Sequence, residues 1–324
     1  MLILADILSS TILFAVPLLL VALGGMFSER SGIINIALEG IMIIGALLSC
    51  LFLRAMDLSG WGAAHPQFAV FLAILIAAAA GAAFSMLLAF ASVHLKANQT
   101  IGGTALNMLA PAFAIVLTLA IQGQGQTIIA IPKWVRITSE VSQDYFFPRL
   151  IFKSLYLTTP IAFLLLIASV VILYKTRLGL RLRACGEHPQ AADSVGINVY
   201  KMRYIGVFVS GILGGIGGLA FTVAAGSGFQ SQVAGYGFLA LAVMIFGNWK
   251  PLNILGASLF FAFFKILGSY SGIIPFLPSF DNVKSSEYIY LMLPYIVTMI
   301  VLVLTSKKSR APKAEGIPYD KGSR

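Results

Sequence analysis

The stretch FAVFLAILIAAAAGAAFSMLLAF, residues 68–90, decides the fold, because its 23 residues include no charged side chain. An α-helix of roughly 20 apolar residues crosses the hydrocarbon core of a bilayer. The run is apolar on every face, whereas the strands of a membrane β-barrel alternate between apolar and polar residues. Residues 161–174 form a second run of this kind. Both runs predict membrane-spanning helices.

The chain as a whole has too few charges for a water-facing surface. Of its 324 residues, 59% are hydrophobic and 10% are charged, whereas a soluble domain carries about 25% charged residues. We therefore predict an all-α polytopic membrane protein with residues 1–306 as one transmembrane domain. Nine crossings are predicted, at 7–27, 31–53, 67–93, 100–121, 155–174, 204–226, 232–248, 252–272 and 288–306. The seventh is short and glycine-rich, which leaves open that it re-enters the membrane instead of crossing it.

Positive charge predicts which side of the membrane each loop faces. The loop 175–203 carries six Lys and Arg residues, and the tail 307–324 carries another six. Both are therefore predicted to be cytoplasmic, and counting back five crossings places the N-terminus outside. The long loop 122–154 is then external, and the polar tail is predicted to be disordered. This distribution also accounts for the net charge of +10 without a nucleic-acid partner.

The sequence contains no motif for bond chemistry or for ATP binding. A phosphate-binding P-loop needs a Gly-Lys pair, and the chain has none. HExxH and CxxC are also absent, and the three histidines lie in loops or at predicted membrane borders. We predict a transport subunit that is not an enzyme and has no catalytic residues, metal or cofactor of its own.

The loop after the fifth predicted span, RLGLRLRACGEHPQAADSVGI at residues 177–197, is the most informative segment. Pro189 is suited to the first turn of a helix, and Gly196 to the left-handed conformation that ends one. The sequence predicts a basic arm that carries a short helix. This is either an ordinary surface loop or a coupling helix that docks into a separate ATPase. The candidate docking residues are Arg183, Gly186, Glu187, His188, Pro189, Ala191, Ala192 and Gly196.

Two motifs give the chain a resemblance to a known family. The loop 177–197 resembles the coupling loop of bacterial ABC importer permeases for simple sugars and nucleosides, in the ribose and branched-chain amino acid permease superfamily. The stretch GGMFSERSGIINIALEGIMIIGA at 24–46 is similar to the same family, and its SERxGxxNIxxEG form most resembles the nucleoside branch. The similarity extends over nearly the whole chain, up to about residue 306. One departure is His188, where relatives usually have Asn, a better helix cap.

The resemblance implies partners and a mechanism. Such a permease works as a pair, with two cytoplasmic ATPase subunits and an extracellular substrate-binding protein, in the bacterial cell membrane. ATP and Mg²⁺ bind to the ATPases, whose closure moves the coupling helices and switches the permease between outward-facing and inward-facing states. The second permease subunit is either a copy of this chain or a related one.

Polar side chains inside the predicted spans mark a candidate translocation path, because in lipid they are costly and face the bundle interior. Asn35 and Glu39 lie four residues apart, on one face of the second predicted span, and a polar cluster opens the fourth. The candidate residues are Asn35, Glu39, Gln99, Thr100, Thr104 and Asn107. The alternative is that these side chains hold neighbouring helices together.

Two further features of the spans have more than one reading. The sixth span contains the GxxxG pairs Gly211/Gly215 and Gly214/Gly218, which favour close helix packing, with a hinge as the alternative. Lys265 lies inside the eighth span. Its ammonium either extends toward the membrane surface, pairs with Glu39, or contacts the solute.

The leading functional hypothesis is an ABC importer permease that moves a nucleoside, or a similar neutral, hydroxyl-rich solute, inward. A closely related alternative has a simple sugar such as a pentose as cargo. An alternative of another class is an ion-coupled secondary carrier with Glu39 as its ion site. A third is an inert scaffold subunit.

Overall fold

The computed structural model describes residues 2–123, 125–137, 145–152, 155–270, 292–293, 296, 299–300 and 311–321. Within these residues the fold is helical, as predicted, and the only bridge between extended residues joins Ile129 and Phe229. A 3₁₀ turn covers Lys133–Val135. The α-helices are α1 (Leu2–Arg30), α2 (Leu38–Leu58), α3 (Trp61–Ala64), α4 (Pro66–Val93), α5 (Gln99–Gln122), α6 (Phe146–Phe152), α7 (Thr158–Lys175), α8 (Arg177–Glu187), α9 (Pro189–Ser194), α10 (Val199–Ala225), α11 (Tyr236–Phe246) and α12 (Pro251–Tyr270).

Seven of the described helices are long and apolar enough to cross a membrane: α1, α2, α4, α5, α7, α10 and α12. They correspond to the first six predicted crossings and the eighth. The predicted seventh crossing, 232–248, contains α11, which has only 11 residues and is about 16 Å long. A helix of that length does not span a bilayer by itself. The predicted ninth crossing, 288–306, lies almost entirely outside the described residues, so the structure does not confirm a count of nine.

The second crossing starts later than predicted. The sequence from residue 31 onward is apolar enough for a helix, yet residues 31–37 are irregular and α2 begins at Leu38. One cause is local, because Gly32 adopts φ = +97°, a conformation outside the right-handed helix that glycine tolerates well. The chain therefore contains a non-helical segment inside the bundle, between α1 and α2.

Helix α10 lies at the centre of the bundle and packs against α1, α2 and α4. Its glycines make this packing possible. A Cβ atom added at Gly218 would lie 2.0 Å from the carbonyl oxygen of Met42, and one at Gly215 would lie 2.1 Å from that of Ala77. The predicted close packing of the GxxxG stretch is thus confirmed.

The two ends of the bundle carry different loops. Asp6, at the start of α1, accepts two hydrogen bonds of 2.5 and 2.7 Å from Arg149, in the loop predicted to be external. At the end of α1, the Arg30 guanidinium lies 3.9 Å from the Glu187 carboxylate in the coupling loop. Helix α1 therefore connects these two ends. Which of them is cytoplasmic stays a prediction from the charges.

The described part of the C-terminal tail departs from the predicted disorder. Residues 311–321, named here the docked tail, pack in an irregular conformation on the coupling loop and the start of α10. The N–H of Ala314 donates a 2.8 Å hydrogen bond to the carbonyl of Gly186. Tyr319 is only 4% exposed, and its ring centroid lies 5.3 Å from that of Tyr200. The average composition of the tail is polar, but a few well-placed apolar side chains anchor it to a surface that already exists.

Candidate functional site

The predicted coupling helix forms by the predicted local signals. Pro189 occupies the first turn of α9, and the His188 side chain makes no capping hydrogen bond there. After α9 the N–H of Gly196 donates to the Asp193 carbonyl at 2.9 Å, and that of Ile197 to the Ala192 carbonyl at 3.0 Å. Gly196 has φ = +81°, so it ends the helix in the left-handed conformation. The basic arm before it is helix α8, which continues through Gly186 to Glu187.

The candidate docking residues fall into two groups by exposure. His188, Ala191 and Gly196 are exposed, Arg183 and Glu187 are half-buried, and Gly186, Pro189 and Ala192 are buried. At Gly186 a Cβ atom would lie 2.3 Å from the Arg30 carbonyl oxygen, so this glycine lets α8 approach the end of α1. The buried group fixes the loop to the bundle. The face that remains open to a partner consists of Gln190, Ala191, Ser194, Val195 and Gly196.

A cluster of charged side chains lies beneath this loop. The Arg30 guanidinium donates to the Trp249 carbonyl at 3.2 Å, and the Trp249 indole donates to the Glu29 carboxylate at 2.5 Å. Glu315 of the docked tail adjoins Glu29 and Arg30. Burial raises the pKa of the Glu315 carboxyl to about 7. The tail is therefore joined to the end of α1 through a carboxyl group that titrates near neutral pH.

The candidate path residues converge on the non-helical segment 31–37. The Gln99 side-chain oxygen Oε1 accepts a hydrogen bond of 2.7 Å from the N–H of Ile34. The Asn107 amide accepts from the N–H of Gly40 and donates to the carbonyl of Ile36, both at 2.8 Å. Buried backbone groups without a helical partner need partners of this kind. Two side chains of α5 thus stabilise the non-helical segment between α1 and α2.

Glu39 stabilises a second non-helical segment, the one that ends at the start of α11. Its carboxylate oxygens accept hydrogen bonds from the backbone N–H groups of Gly235 at 2.8 Å and Gly237 at 2.6 Å. A Cβ atom at Gly237 would lie 2.3 Å from the Glu39 nitrogen, so the first turns of α2 and α11 touch. A carboxylate is favourable at a helix N-terminus because it neutralises the positive end of the helix dipole. Glu39 is therefore the anion at the start of α11.

The remaining candidate path residues do not form one continuous surface with these. Asn35 is fully buried and donates to the Ser210 hydroxyl of α10 at 2.8 Å. Thr100 and Thr104 are exposed on α5, and the Thr104 hydroxyl bonds only to carbonyls of its own helix, at 3.0 and 2.9 Å. Two of the buried polar atoms, the Asn35 side-chain oxygen and the Gln99 side-chain nitrogen, have no hydrogen-bond partner among the described residues. Each can still bind a water or a polar solute.

Lys265 packs among aromatic side chains and does not pair with Glu39, and its contact with the solute stays a prediction. Its ammonium donates a 2.5 Å hydrogen bond to the Tyr236 hydroxyl. It lies 4.1 Å from the Tyr236 ring centroid, 4.7 Å from that of Phe14 and 5.8 Å from that of Phe221. Among the described residues it forms no ion pair. The aromatic rings stabilise the ammonium through cation–π contacts.

The sequence analysis missed three aromatic residues of these sites. Tyr236 receives Lys265, Trp249 joins Glu29, and Tyr319 anchors the docked tail. For Tyr236 a signal was present, because it stands between two glycines in the seventh predicted crossing, which is short and glycine-rich. Trp249 and Tyr319 have no such signal, since their partners lie far away in the sequence. No group of His, Cys, Asp or Glu side chains in the described part of the chain is arranged to hold a metal ion.

Comparison with known proteins extends these observations. The family model described as "Branched-chain amino acid transport system / permease component" matches residues 7–303. The chain is 43% identical to the guanosine ABC transporter permease protein NupQ of Bacillus subtilis (strain 168), over 99% of this chain and 98% of that protein. It is 41% identical to the nucleoside ABC transporter permease protein NupC of Lactococcus lactis subsp. cremoris (strain MG1363), over 97% and 96% of the two chains.

A third relative is named for a sugar. The putative glucose ABC transporter permease protein TsgC13 of Haloferax volcanii is 30% identical over 79% of this chain and 75% of that protein. No solved structure matches the chain.

Proposed function

From the membership of this chain in the family of branched-chain amino acid transport system permease components, we propose that it is the membrane-spanning subunit of an ABC importer for nucleosides. The observation that carries the choice of cargo is the identity of 43% and 41%, over nearly the full chain, to permeases named for guanosine and for nucleosides. The sugar-named relative is less similar and covers less of the chain. A simple sugar is therefore the second candidate cargo.

The proposed topology has nine crossings in a bacterial cytoplasmic membrane. The seventh combines the short α11 with the non-helical residues 226–235 before it, because Phe229 pairs with Ile129 of the loop 122–154 and Trp249 contacts Arg30 at the opposite end of the bundle. The N-terminus and the loop 122–154 face outward, and the coupling loop and the tail face the cytoplasm. The positive charges of loop and tail support this orientation, as does the contact between Arg30 and Glu187, which brings the end of α1 to the coupling loop. The ninth crossing is the apolar segment 288–306.

Helix α9 is the proposed docking site for the ATPase subunit. Ala191 and Gly196 lie on its open face, and the buried Gly186, Pro189 and Ala192 fix α9 to the bundle. ATP and Mg²⁺ bind to the ATPase and not to this chain, which has no P-loop. Closure of the ATPase pair pulls on α9, and the contacts of Gly186 with α1 transmit the displacement to the spans.

The proposed route of the solute passes the two breaks in helical structure. Asn35, Glu39, Gln99 and Asn107 surround these breaks, and non-helical backbone at membrane depth is typical of transporter binding sites. The unpaired atoms of Asn35 and Gln99 offer one acceptor and one donor, which suits the polar edge of a nucleobase or a sugar hydroxyl. Thr100 and Thr104 lie on the exposed face of α5, the helix that also carries Gln99 and Asn107.

The proposed assembly contains a second permease subunit, two ATPase subunits and an extracellular substrate-binding protein. The contacts of Glu39 argue against an ion-coupled carrier. The Glu39 carboxylate already accepts two backbone hydrogen bonds. It therefore stabilises the structure and is poorly suited to bind a transported ion.

The test is uptake of radiolabelled solutes into proteoliposomes that contain this chain with the ATPase, binding protein and second permease encoded by neighbouring genes. We expect ATP-dependent uptake of nucleosides, with guanosine among them, and little uptake of pentoses or glucose. ATP-dependent uptake of a sugar, without uptake of nucleosides, would support the ABC importer mechanism and show that the cargo is a sugar. Uptake by this chain by itself, driven by a proton or sodium gradient, would refute the proposal.

A further inference from the structure

A polar groove separates α9 from the docked tail. Gln190, Ala191 and Ser194 of α9 face Tyr319, Asp320 and Lys321 across it, and the groove encloses about 380 Å³. The α9 residues in this groove belong to the open face of the helix. The tail residues were expected to be disordered and had no assigned role.

Contacts on both sides of the groove fix the tail. The buried Tyr319 ring packs with Tyr200, and the Tyr319 hydroxyl lies beside the Asp193 side chain of α9. The Asp320 carboxylate lies 3.0 Å from the Lys96 ammonium, before the start of α5. These contacts link the tail both to α9 and to a second part of the bundle. The wall that the tail forms is therefore held at a fixed distance from α9.

The two walls have different chemistry. Asp320 is paired with Lys96, whereas Asp193 lies beside the neutral Tyr319 hydroxyl, which does not balance a carboxylate charge. Lys321 is exposed and forms no salt bridge among the described residues. The groove thus has one acidic side chain without a cationic partner among the described residues, Asp193, on the α9 wall and one basic side chain, Lys321, on the tail wall.

The exposed Ala191 lines this groove, and the opposite wall is Tyr319–Lys321, so a protein seated on Ala191 lies next to that wall. We propose that residues 319–321 form the second half of the ATPase docking surface, so that the ATPase binds between α9 and the tail and places a carboxylate on Lys321. Polar side chains around a small contact helix are typical of the rim of a subunit interface. The inference rests on the proposed function, because it takes α9 as the helix that the ATPase binds.

The test measures the affinity of the neighbouring-gene ATPase for the full-length permease pair in nanodiscs. Lys321→Glu reverses the charge in the groove, and we expect the Kd to rise roughly three- to tenfold. Lys313→Glu is the matched control, because Lys313 is an exposed lysine of the same tail that does not line the groove. Its Kd should equal that of the unchanged chain. Ala191→Glu tests α9 itself and should weaken binding at least as much.

The outcomes separate this inference from the proposed function. If Ala191→Glu weakens binding and Lys321→Glu does not, the tail is no part of the docking surface, while α9 remains the docking helix. If neither variant changes the Kd, the docking role of α9 fails as well. Equal weakening by Lys321→Glu and Lys313→Glu would show a general effect of tail charge, which contradicts a groove-specific contact. A loss of permease pairing in Lys321→Glu, with the ATPase affinity per permease unchanged, would assign the groove to the second permease subunit instead.

Discussion

Glu39 and Lys265 hold the same turn of the chain from different helices, the first through backbone groups and the second through a side chain. Glu39 of α2 accepts hydrogen bonds from the N–H groups of Gly235 and Gly237, and Lys265 of α12 donates to the hydroxyl of Tyr236 between them. The two opposite charges thus act on α11 without forming a direct pair. The position of this short helix depends on both α2 and α12.

The contact between Lys265 and Tyr236 is expected to be energetically coupled. Lys265→Met and Tyr236→Phe each remove one partner of the hydrogen bond. In a double-mutant cycle of thermal unfolding in detergent, we expect a coupling free energy of about 1 kcal/mol. Additive effects of the two substitutions would mean that the hydrogen bond between the ammonium and the hydroxyl contributes nothing to the free energy of unfolding.

Glu39 is expected to act through its two accepted hydrogen bonds. Glu39→Ala leaves the N–H groups of Gly235 and Gly237 without this partner, at a cost of about 1–3 kcal/mol for each group that stays unsatisfied. Glu39→Gln keeps one oxygen and should lose less stability and less uptake. Ser49→Ala is the control, because the buried Ser49 hydroxyl bonds only within its own helix. Equal uptake by Glu39→Ala and the unchanged chain would contradict a role in positioning α11.

Asn107 is expected to matter more than its neighbour on the same helix. Asn107→Ala removes the partners of Ile36 and Gly40, so we expect a loss of about 2 kcal/mol in stability and reduced uptake. Thr104→Ala lies one turn away and should be nearly neutral, because its hydroxyl bonds only to α5 carbonyls. Thermal unfolding and uptake of the two variants check this difference, and equal effects would contradict it.

The glycines of α10 are expected to tolerate no methyl group. At Gly218 a Cβ atom would meet the Met42 carbonyl oxygen at 2.0 Å, whereas at Gly256 of α12 nothing lies within 4 Å. Gly218→Ala should therefore prevent folding or assembly, and Gly256→Ala should be neutral or stabilise α12 by up to about 1 kcal/mol. The yield of monodisperse protein in detergent is the measurement. Normal yield of Gly218→Ala would contradict the packing of α10 against α2.

Docking of the tail is expected to weaken as the pH rises. The pKa of Glu315 is about 7 in the docked tail and 4.5 for a solvated glutamate, because burial disfavours the charged carboxylate, while the hydrogen bond with Glu29 and the charge of Arg30 oppose the shift. Between these two pH values the docked tail binds a proton that the undocked tail does not bind. Docking therefore becomes less favourable as the pH rises through this window to above 7. The loss is complete about one pH unit above 7.

A spin label at Ile317→Cys measures this effect, since Ile317 is 56% exposed and tolerates a label without disturbing the anchor at Tyr319. The mobility of the label should increase between about pH 5 and pH 8. In the same protein with Glu315→Gln the mobility should not change with pH. A pH response that persists in this control would assign it to another group.

The sequence predicted those features whose causes are local. Pro189 and Gly196 delimit the coupling helix by their own backbone preferences, and the glycine pairs of α10 indicate close packing directly. The roles of Gln99, Asn107 and Glu39 were not predictable in this way. Their partners are backbone groups of two non-helical segments, and these segments look helical in an apolar sequence. The docked tail was missed for a related reason, because average composition does not reveal that Tyr319 meets Tyr200.

The hydrogen bonds of α5 to residues 34–40 have a mechanical consequence. Described contacts of α5 with other helices are mainly those with α2 and α4, and its amide side chains take the place of the missing helical bonds between α1 and α2. If α5 slides, Ile34, Ile36 and Gly40 lose their partners at once, and rewinding of the segment into a helix is the way to regain them. We therefore expect sliding of α5 to be coupled to rewinding at the α1–α2 junction, and a probe attached to either one to report on both.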